Sequence, residues 1–302
     1  MPWFRASNLP MTSAQLAATP VSLPLRVRLF QVRVLAAILT WVGGYAPGRR
    51  LIVRLRSNRW SKSLFQFGLA FRRTFSSFSA AQSSASKYIA AGHEHPDEIR
   101  YHTSIADSIR ESDYPVLFYL APIARTLRRA FDLGGHVGNL FYAYQHKLCF
   151  PPNLTWTVYD LPHKRPYAEK LAVERHETRI RFANNPAEAS GSDVFIASGS
   201  LHYFDQPLHE ILRALDSPPP HVFVNRTPFS TGNSLITVQD NRSYLVPCML
   251  HSRPELISGM ASLGYEIVSE WPVHERKLCV PLYPDLTAHT YEGFYFRKKS
   301  GL

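Results

Sequence analysis

The stretch Phe131-Asp132-Leu133-Gly134-Gly135-His136-Val137-Gly138 decides how the rest of the sequence is interpreted. An apolar run ends in an acidic residue, a glycine-rich turn follows, and residues 139–144 then have a helical pattern. Glycine permits a tight turn and a close approach of the backbone to a ligand, and a helix N-terminus supplies N–H donors. The stretch predicts the strand, turn and helix that open a nucleotide-type site, although an ordinary turn between a strand and a helix would have the same pattern.

Three further runs rich in β-forming residues follow, with helical segments between them. They are residues 154–160, which end at Asp160, residues 193–198, and residues 221–225, which Arg226 follows. Strands joined by helices pair in parallel. In a doubly wound sheet, a carboxylate at the carboxyl end of strand two can accept hydrogen bonds from ribose hydroxyls. These runs predict an α/β fold with Asp160 at its site.

The C-terminal part of the chain predicts a different connection. Helices are expected over residues 207–215 and 253–263, and strands over 265–271 and 290–297. A proline-containing loop without a helical pattern joins the two strands. Neighbouring strands joined in this way are antiparallel, whereas a plain Rossmann dehydrogenase favours a helical crossover at this point.

Six stretches, in this order along the chain, carry a family resemblance that spans roughly residues 95–299. They are Phe-Asp-Leu-Gly-Gly-His-Val-Gly (131–138), Thr-Val-Tyr-Asp (157–160), Ser-Gly-Ser-Leu-His-Tyr-Phe (198–204), Val-Asn-Arg-Thr-Pro-Phe (224–229), Leu-Gly-Tyr-Glu-Ile-Val-Ser-Glu-Trp (263–271) and Gly-Phe-Tyr-Phe-Arg (293–297). Together they resemble the class I S-adenosylmethionine-dependent methyltransferases. More narrowly, they resemble a methyltransferase family often encoded near bacterial surface-polysaccharide genes. In the usual acidic-x-Gly-x-Gly-x-Gly pattern, this chain has His136 in place of the middle glycine.

The resemblance implies a Rossmann-like class I methyltransferase sheet, mostly parallel with an antiparallel terminal strand and helices on both faces. It also implies that S-adenosylmethionine is the cofactor. Asp132 would face its methionine end or order the turn, and Asp160 would hold the ribose or instead cap the turn before Pro162. The whole set implied for cofactor binding is Asp132, Gly134, Gly135, His136, Gly138, Asp160, Leu161, Asn184, Ser198, Gly199 and Leu201.

A methyl acceptor that is a hydroxyl gains from a base, because the proton has to leave during attack. His202 is the first candidate, since imidazole is mostly neutral near pH 7, and Tyr203 and His163 follow it. A packing contact on the cofactor is the other interpretation of His202. Arg226 would bind an acidic group of the acceptor, or would pair with a nearby carboxylate.

The basic charge of the chain is concentrated at one end. The formal net charge is +11, yet residues 1–93 contain 13 Lys and Arg and no acidic residue, and Glu94 is the first. This asymmetry favours a partner with negative charge. We expect a basic, mostly helical N-terminal arm over residues 1–93 and an S-adenosylmethionine-binding domain over residues 94–302.

Three segments of the arm have patterns of their own. Residues 34–45 form an apolar run of 12 residues, too short for the roughly 20 of a membrane span and too far from Met1 for a signal peptide. Residues 64–78 predict a helix with an aromatic face, which would pack on the domain or lie on a membrane. Residues 76–86, rich in Ser and Ala, predict a flexible joint.

Before the first strand, helices are expected from Pro96 to about Arg110 and again after Ser112, and in methyltransferases helices placed in this way often cover the cofactor. The second helix would have its inner face formed by Val116, Leu117, Leu120, Ile123 and Leu127. No metal is expected at His93-Glu94-His95, because alternating residues in a loop rarely make a complete site.

Three functional hypotheses remain open from the sequence. The first is methyl transfer to an unidentified acceptor, with a hydroxyl of a glycan or glycolipid intermediate implied by the setting of the resembling family. A nicotinamide-dependent sugar-nucleotide reductase would need Gly-x-Gly-x-x-Gly, and His136 occupies the second of those glycines. A methyltransferase-like binding module without activity is the third. The expected location is cytoplasmic, with the arm on an anionic membrane surface, and nucleic acid is the less favoured partner.

Overall fold

A seven-stranded sheet forms the centre of the computed structural model, which describes residues 45–57, 74–88, 93, 96–240, 244–275 and 291–299 and a few positions between 34 and 42. The strand order is β3-β2-β1-β4-β5-β10-β9. The strands are β1 (Arg129–Leu133), β2 (Thr155–Tyr159), β3 (Ile180–Phe182), β4 (Val194–Ser198), β5 (His221–Thr227), β9 (Tyr265–Val273) and β10 (Tyr291–Lys298). The first five are parallel, and β10 is antiparallel to both β5 and β9. The predicted fold class is confirmed, including the antiparallel end of the sheet.

The central strands are buried on both faces, which explains their continuous apolar runs. In β4, Val194 and Ile196 belong to one core cluster, and Phe195 and Ala197 belong to the other. Successive side chains of a strand point to opposite faces, so the two clusters mark the two sides of the sheet. One side is covered by α4 (Asp113–Ala124), α5 (Asn139–Tyr144) and α6 (Arg165–Glu174), and the other by α7 (Leu208–Arg213) and α8 (Arg253–Ser262).

The two helices directly before β1 agree with the prediction to different degrees. The first, α3 (Pro96–Ser104), ends six residues before the expected Arg110. The second, α4, buries Val116, Leu117 and Leu120 of the predicted inner face in the core on one side of the sheet, but it ends at Ala124, before the expected Leu127.

A small second sheet is inserted between β5 and α8, where the sequence analysis predicted nothing regular. It consists of β6 (Phe229–Ser230), β7 (Leu235–Asp240) and β8 (Leu245–Ser252), in the order β6-β8-β7. The strands β7 and β8 are antiparallel, with Leu235 opposite Leu250 and Asp240 opposite Leu245. The insertion therefore adds a hairpin close to the carboxyl end of β5.

The described part of the arm includes the helices α1 (Ala46–Ser57) and α2 (Phe78–Ser86). The second packs on β7 and β8 and buries Ala81 and Ala85. Just before it, the N–H of Phe75 donates to the carbonyl of Ile236 over 2.8 Å, and Ser77 caps the helix through a hydrogen bond from the N–H of Ala80. The flexible joint predicted for residues 76–86 is wrong, because this segment is a packed helix.

The other predictions for the arm fall mostly outside the described residues. The expected aromatic helix over residues 64–78 is wrong at Phe75, which lies in an extended bridge, and residues 64–73 are not among those described. Among the residues that the structure does describe, no helix is long and apolar enough to cross a membrane.

Candidate functional site

A cavity of about 590 Å³ opens at the carboxyl ends of the parallel strands. Its wall includes the turn after β1, the end of β2, the end of β4 and the end of β5. The sheet order reverses between β1 and β4, and in open α/β sheets ligands bind in the crevice at this point. The volume lies in the range of small-molecule sites. The strands therefore bring eleven of the predicted residues together: Asp132, Gly134, Gly135, His136, Asp160, Leu161, Ser198, Gly199, His202, Tyr203 and Arg226.

The glycines of the turn are required by close packing. Gly134 has φ 71°, and a Cβ there would lie 2.3 Å from the Cβ of Ser200. A Cβ on Gly135 would lie 2.4 Å from the carboxyl carbon of Asp132. The N–H of Gly134 also donates to the carbonyl of Tyr159 over 2.7 Å. A side chain at either glycine would displace a wall of the cavity.

Asp160 is held by three donors at the end of β2. Its Oδ2 accepts from the main-chain N–H of His136 over 2.8 Å, and its Oδ1 accepts from the N–H of Leu161 over 2.7 Å. The ammonium of Lys164 lies 3.0 Å from Oδ1 and is itself buried. Burial alone would raise the pKa of Asp160, but Lys164, His136 and the N–H of Leu161 lower it below its ordinary value. The carboxylate is therefore ionised and fixed in direction.

His136 occupies a backbone conformation that usually belongs to glycine. Its φ is 57°, and its buried ring stacks on the ring of His102 with centroids 4.1 Å apart and an interplanar angle of 21°. The carbonyl of His102 accepts from Nδ2 of Asn139 over 2.8 Å. The histidine that replaces glycine thus ties α3, which carries His102, to the turn.

Asp132 lies beneath the turn and is only 1% exposed. Burial raises its pKa to about 7, the nearby charge of Asp160 adds to this, and a hydrogen bond from Trp156 and the charge of Arg226 oppose it. The Trp156 contact joins Nε1 to Oδ2 over 3.3 Å. A carboxyl group with this pKa gains or loses a proton near neutral pH.

Arg226 and Asp113 form a buried ion pair on the cavity wall. Nη1 of Arg226 lies 2.6 Å from Oδ1 of Asp113, and neither side chain is more than 8% exposed. Tyr144 donates to the same oxygen over 3.1 Å, and Asn225 accepts from Nε1 of Trp271 over 3.1 Å. Of the two interpretations of Arg226, pairing with a carboxylate is therefore present in the structure, although Arg226 also lines the cavity.

His202 and Tyr203 follow β4 in the 3₁₀ turn Leu201–Tyr203. Their rings lie 4.1 Å apart, and the ring of Tyr291 lies 6.1 Å from that of His202. The hydroxyl of Tyr203 donates to Oε1 of Gln239 over 2.5 Å. His202 and Tyr203 both line the cavity.

Four predicted residues lie outside the cavity wall. Leu201 is fully buried in the core, and Gly138 caps α5 with φ 93°. Oδ1 of Asn184 accepts from Nη1 of Arg165 over 2.9 Å. Nε2 of His163 donates to the carbonyl of His93 over 3.3 Å. For Leu201, Asn184 and His163 the pattern gave the right neighbourhood along the chain, but packing turned the side chain elsewhere.

Several residues of the cavity wall were not predicted from the sequence. Lys164 had a local signal, because position i+4 from Asp160 lies on the same side of a helical turn. Asp113 was interpreted only as part of a helix start. Gln239 and Tyr244 belong to the inserted hairpin and carry no motif. Although histidines line the wall, no group of three or more His, Cys, Asp and Glu in the described part of the chain is placed to hold a metal ion.

Comparison with solved structures finds methyltransferases at low similarity. The 1,6-didemethyltoxoflavin-N1-methyltransferase of Burkholderia thailandensis, with bound 1,6-didemethyltoxoflavin and S-adenosylhomocysteine, is 17% identical, covers 70% of this chain and 92% of its own, and has a TM-score of 0.42. An O-methyltransferase family protein from the same organism is 16% identical. The match covers 70% of this chain and 65% of that protein, with a TM-score of 0.41. The N-terminal domain of EvdMO1 with S-adenosylhomocysteine bound is 12% identical. The match covers 63% of this chain and 83% of that domain, with a TM-score of 0.44.

No family model matches the chain, and no curated protein matches it in sequence. At such identities and TM-scores, the likeness to solved structures assigns no activity to this chain.

Proposed function

We propose that this protein transfers a methyl group from S-adenosylmethionine to a hydroxyl of an acceptor. One observation carries the proposal: the glycine turn after β1 and the carboxylates of Asp132 and Asp160 line a single cavity at the point where the sheet order reverses. In doubly wound sheets this place holds a nucleoside, with a carboxylate at the end of the second strand on the ribose. The antiparallel hairpin of β9 and β10 distinguishes the sheet from that of a plain dehydrogenase.

The residues present fit the cofactor. Asp160 is ionised and oriented by backbone N–H groups, and a carboxylate oxygen can accept more than one hydrogen bond, so ribose hydroxyls can be added to its donors. Asp132 is a buried carboxyl group that would gain from a cation nearby, which the sulfonium and ammonium groups provide. Gly135 lets the carboxyl group of Asp132 lie directly against the turn, where a Cβ would come within 2.4 Å of its carboxyl carbon.

When bound, S-adenosylmethionine supplies a methyl group on a sulfonium, whose sulfur keeps the electron pair of the broken bond. The protein has to align the acceptor oxygen and take its proton. We assign the proton to the imidazole of His202, with Tyr203 as the alternative, because both line the cavity. A sugar hydroxyl of a glycan or glycolipid intermediate is the acceptor we favour.

We also propose that the arm holds the enzyme on the cytoplasmic face of an anionic membrane. The helix α1 has Arg50 and Arg54 exposed together with Leu51 and Leu55. Basic residues near an anionic surface contribute on the order of 1 kcal/mol each, and exposed apolar side chains add insertion into lipid. Nucleic acid is the competing partner, but it offers no comparable place for the apolar side chains.

Two measurements test the cofactor assignment. Mass spectrometry of small molecules that co-purify with the protein should find S-adenosylmethionine or S-adenosylhomocysteine. Calorimetry should show binding of both, with NAD(H) much weaker. Preferential binding of NAD(H) would favour the reductase, and a folded protein that binds neither sulfur compound refutes the proposal.

A further inference from the structure

Five rings on one side of the cavity form a continuous cluster. Going from one end to the other, the rings belong to Tyr291, His202, Tyr203, His93 and Tyr244, and we call them the ring cluster. Neighbouring centroids are separated by 6.1, 4.1, 4.5 and 5.8 Å. All five residues line the cavity, so the cluster presents ring edges and faces to whatever enters it.

Most of the ring cluster comes from elements other than β1 and β2, although His93 reaches the segment just after β2, where its carbonyl accepts from Nε2 of His163 over 3.3 Å. The glycine turn and Asp160 lie at the ends of β1 and β2. His202 and Tyr203 follow β4, and Tyr291 begins β10, whose residue Glu292 pairs with Thr227 at the end of β5. The sheet order places β1 and β2 on one side of β4, and β5 and β10 on its other side. A nucleoside at the first half would leave the second half for the acceptor.

The inserted hairpin completes this second half. Among its described residues, Gln239, from β7, and Tyr244, just before β8, lie in the wall. The hairpin is fixed to the 3₁₀ turn, because Nε2 of His251 donates to the carbonyl of Leu201 over 3.1 Å. Burial lowers the pKa of His251, so its ring is neutral in this contact. The parallel sheet is complete without this hairpin. The position of the hairpin at the wall indicates that it acts in the cavity.

The chemistry of this half favours a neutral ligand with hydroxyl groups. None of the ring cluster or Gln239 carries a fixed charge, and Arg226 at the end of β5 is already bound to Asp113. Because the hydroxyl of Tyr203 donates to Oε1 of Gln239, the NH₂ of that amide is the part that can donate to a ligand. Ring faces beside a directed amide suit a molecule with apolar C–H faces and hydroxyl edges.

We infer that the ring cluster and Gln239 form an acceptor subsite for a neutral sugar ring. This inference rests on the proposed function, since it takes the other half of the cavity as the cofactor site. It adds the inserted hairpin to the residues that select the acceptor.

The test uses the full chain saturated with S-adenosylhomocysteine and three probes that differ in one group. They are p-nitrophenyl β-D-glucopyranoside, the matching p-nitrophenyl glucuronide, which has a carboxylate, and 4-nitroanisole, which lacks the sugar. Saturation-transfer NMR and calorimetry should show binding of the glucopyranoside. The glucuronide should bind about tenfold more weakly, because its charge loses water without gaining a partner. Nitroanisole should show no comparable affinity.

Variants locate the probe. Gln239→Ala and Tyr244→Ala should each weaken the glucopyranoside by about fivefold or more. Gln82→Ala, at an exposed amide on α2, and Tyr167→Ala, at an exposed tyrosine on α6, are matched controls that should change nothing. All four variants should keep the affinity for S-adenosylhomocysteine, which also shows that they are folded.

The outcomes separate this inference from the proposed function. If wild-type protein does not bind S-adenosylhomocysteine, the proposed function fails. If it does bind, the subsite is refuted by absence of glucopyranoside binding, by equal or stronger binding of the glucuronide or nitroanisole, or by cavity variants that behave like their controls.

Discussion

The main-chain N–H of His136 and Oδ2 of Asp160 lie 2.8 Å apart, so the turn after β1 and the end of β2 form one unit. His136 has φ 57°, a conformation that costs energy for most side chains. The hydrogen bond to Asp160 and the stack on His102 support that conformation. Changes at Asp160 should therefore affect both the shape of the turn and the ligand that it holds.

Replacing Asp160 by alanine should weaken binding of S-adenosylhomocysteine by about 1–3 kcal/mol, because ribose hydroxyls lose their acceptor. The same change leaves the buried ammonium of Lys164 without its carboxylate and lowers stability. The double variant Asp160→Ala/Lys164→Met should recover stability but not affinity. Calorimetry and urea unfolding measure the two effects. Normal affinity in the single variant contradicts the ribose role.

Affinity for S-adenosylmethionine should rise with pH up to about 7 and then level off. Burial raises the pKa of Asp132 to about 7, and only the ionised carboxyl attracts a sulfonium. S-adenosylhomocysteine, whose sulfur is uncharged, should show a weaker dependence. Asp132→Asn should remove the difference between the two ligands in calorimetry across this pH range. Identical pH profiles for both ligands would place Asp132 away from the sulfonium.

The same group makes stability depend on pH. Because the folded pKa of Asp132 is about 7 and the unfolded value is 3.8, the folded protein holds a proton that the unfolded chain has lost between these values. The contribution of this group to the free energy of unfolding therefore falls as pH rises from about 4 to about 7. The free energies of unfolding of wild type and Asp132→Asn, measured with urea at a series of pH values, should change differently with pH over this window. Above it, the two curves of free energy against pH should be parallel.

Breaking the buried pair of Arg226 and Asp113 should cost about 3–5 kcal/mol of stability, because the remaining buried charge loses the opposite charge it is paired with. Arg226→Met tests this by denaturant unfolding, and Arg226→Met/Asp113→Asn should recover much of the loss. If the recovered double variant binds S-adenosylhomocysteine normally but has lost turnover, Arg226 also contacts the acceptor. A single variant as stable as wild type would show that the pair is not maintained in solution.

Once an acceptor has been identified, His202→Gln should lower kcat by about 100-fold if His202 takes the hydroxyl proton. The affinity for S-adenosylmethionine should stay unchanged, and Tyr203→Phe should have a smaller effect on kcat. Loss of cofactor affinity with normal turnover at saturation would instead make His202 a packing residue.

Removing residues 1–73 should release the protein from anionic liposomes while leaving S-adenosylhomocysteine binding intact. The cut spares Phe75 and α2, which pair with and pack on the inserted hairpin. Removing residues 1–90 should instead destabilise the domain, because Ala81 and Ala85 leave the core. Flotation of the intact chain should rise with anionic lipid and fall with salt. A chain that stays off anionic liposomes at low salt refutes the membrane role of the arm.

The sequence by itself determined the parallel strands, the turn and the edge of the sheet at which the site lies. Apolar runs with helices between them have few alternatives to a parallel sheet, and the carboxyl ends of parallel strands meet at one edge. Asp132, Asp160, Ser198 and Arg226 could therefore be placed together although they are far apart along the chain. The glycine turn was predictable because its conformation is a local property.

Only the tertiary structure decided which side chains reach the cavity and what they contact there. Asp113 binds Arg226 across more than a hundred residues, and nothing local to either residue indicates the other. Gln239 enters the wall from a hairpin whose short strands have no motif, and Leu201 turns into the core one position before His202 turns toward the cavity. Such contacts depend on the packing of whole elements against each other, and packing is settled by shape over many residues at once.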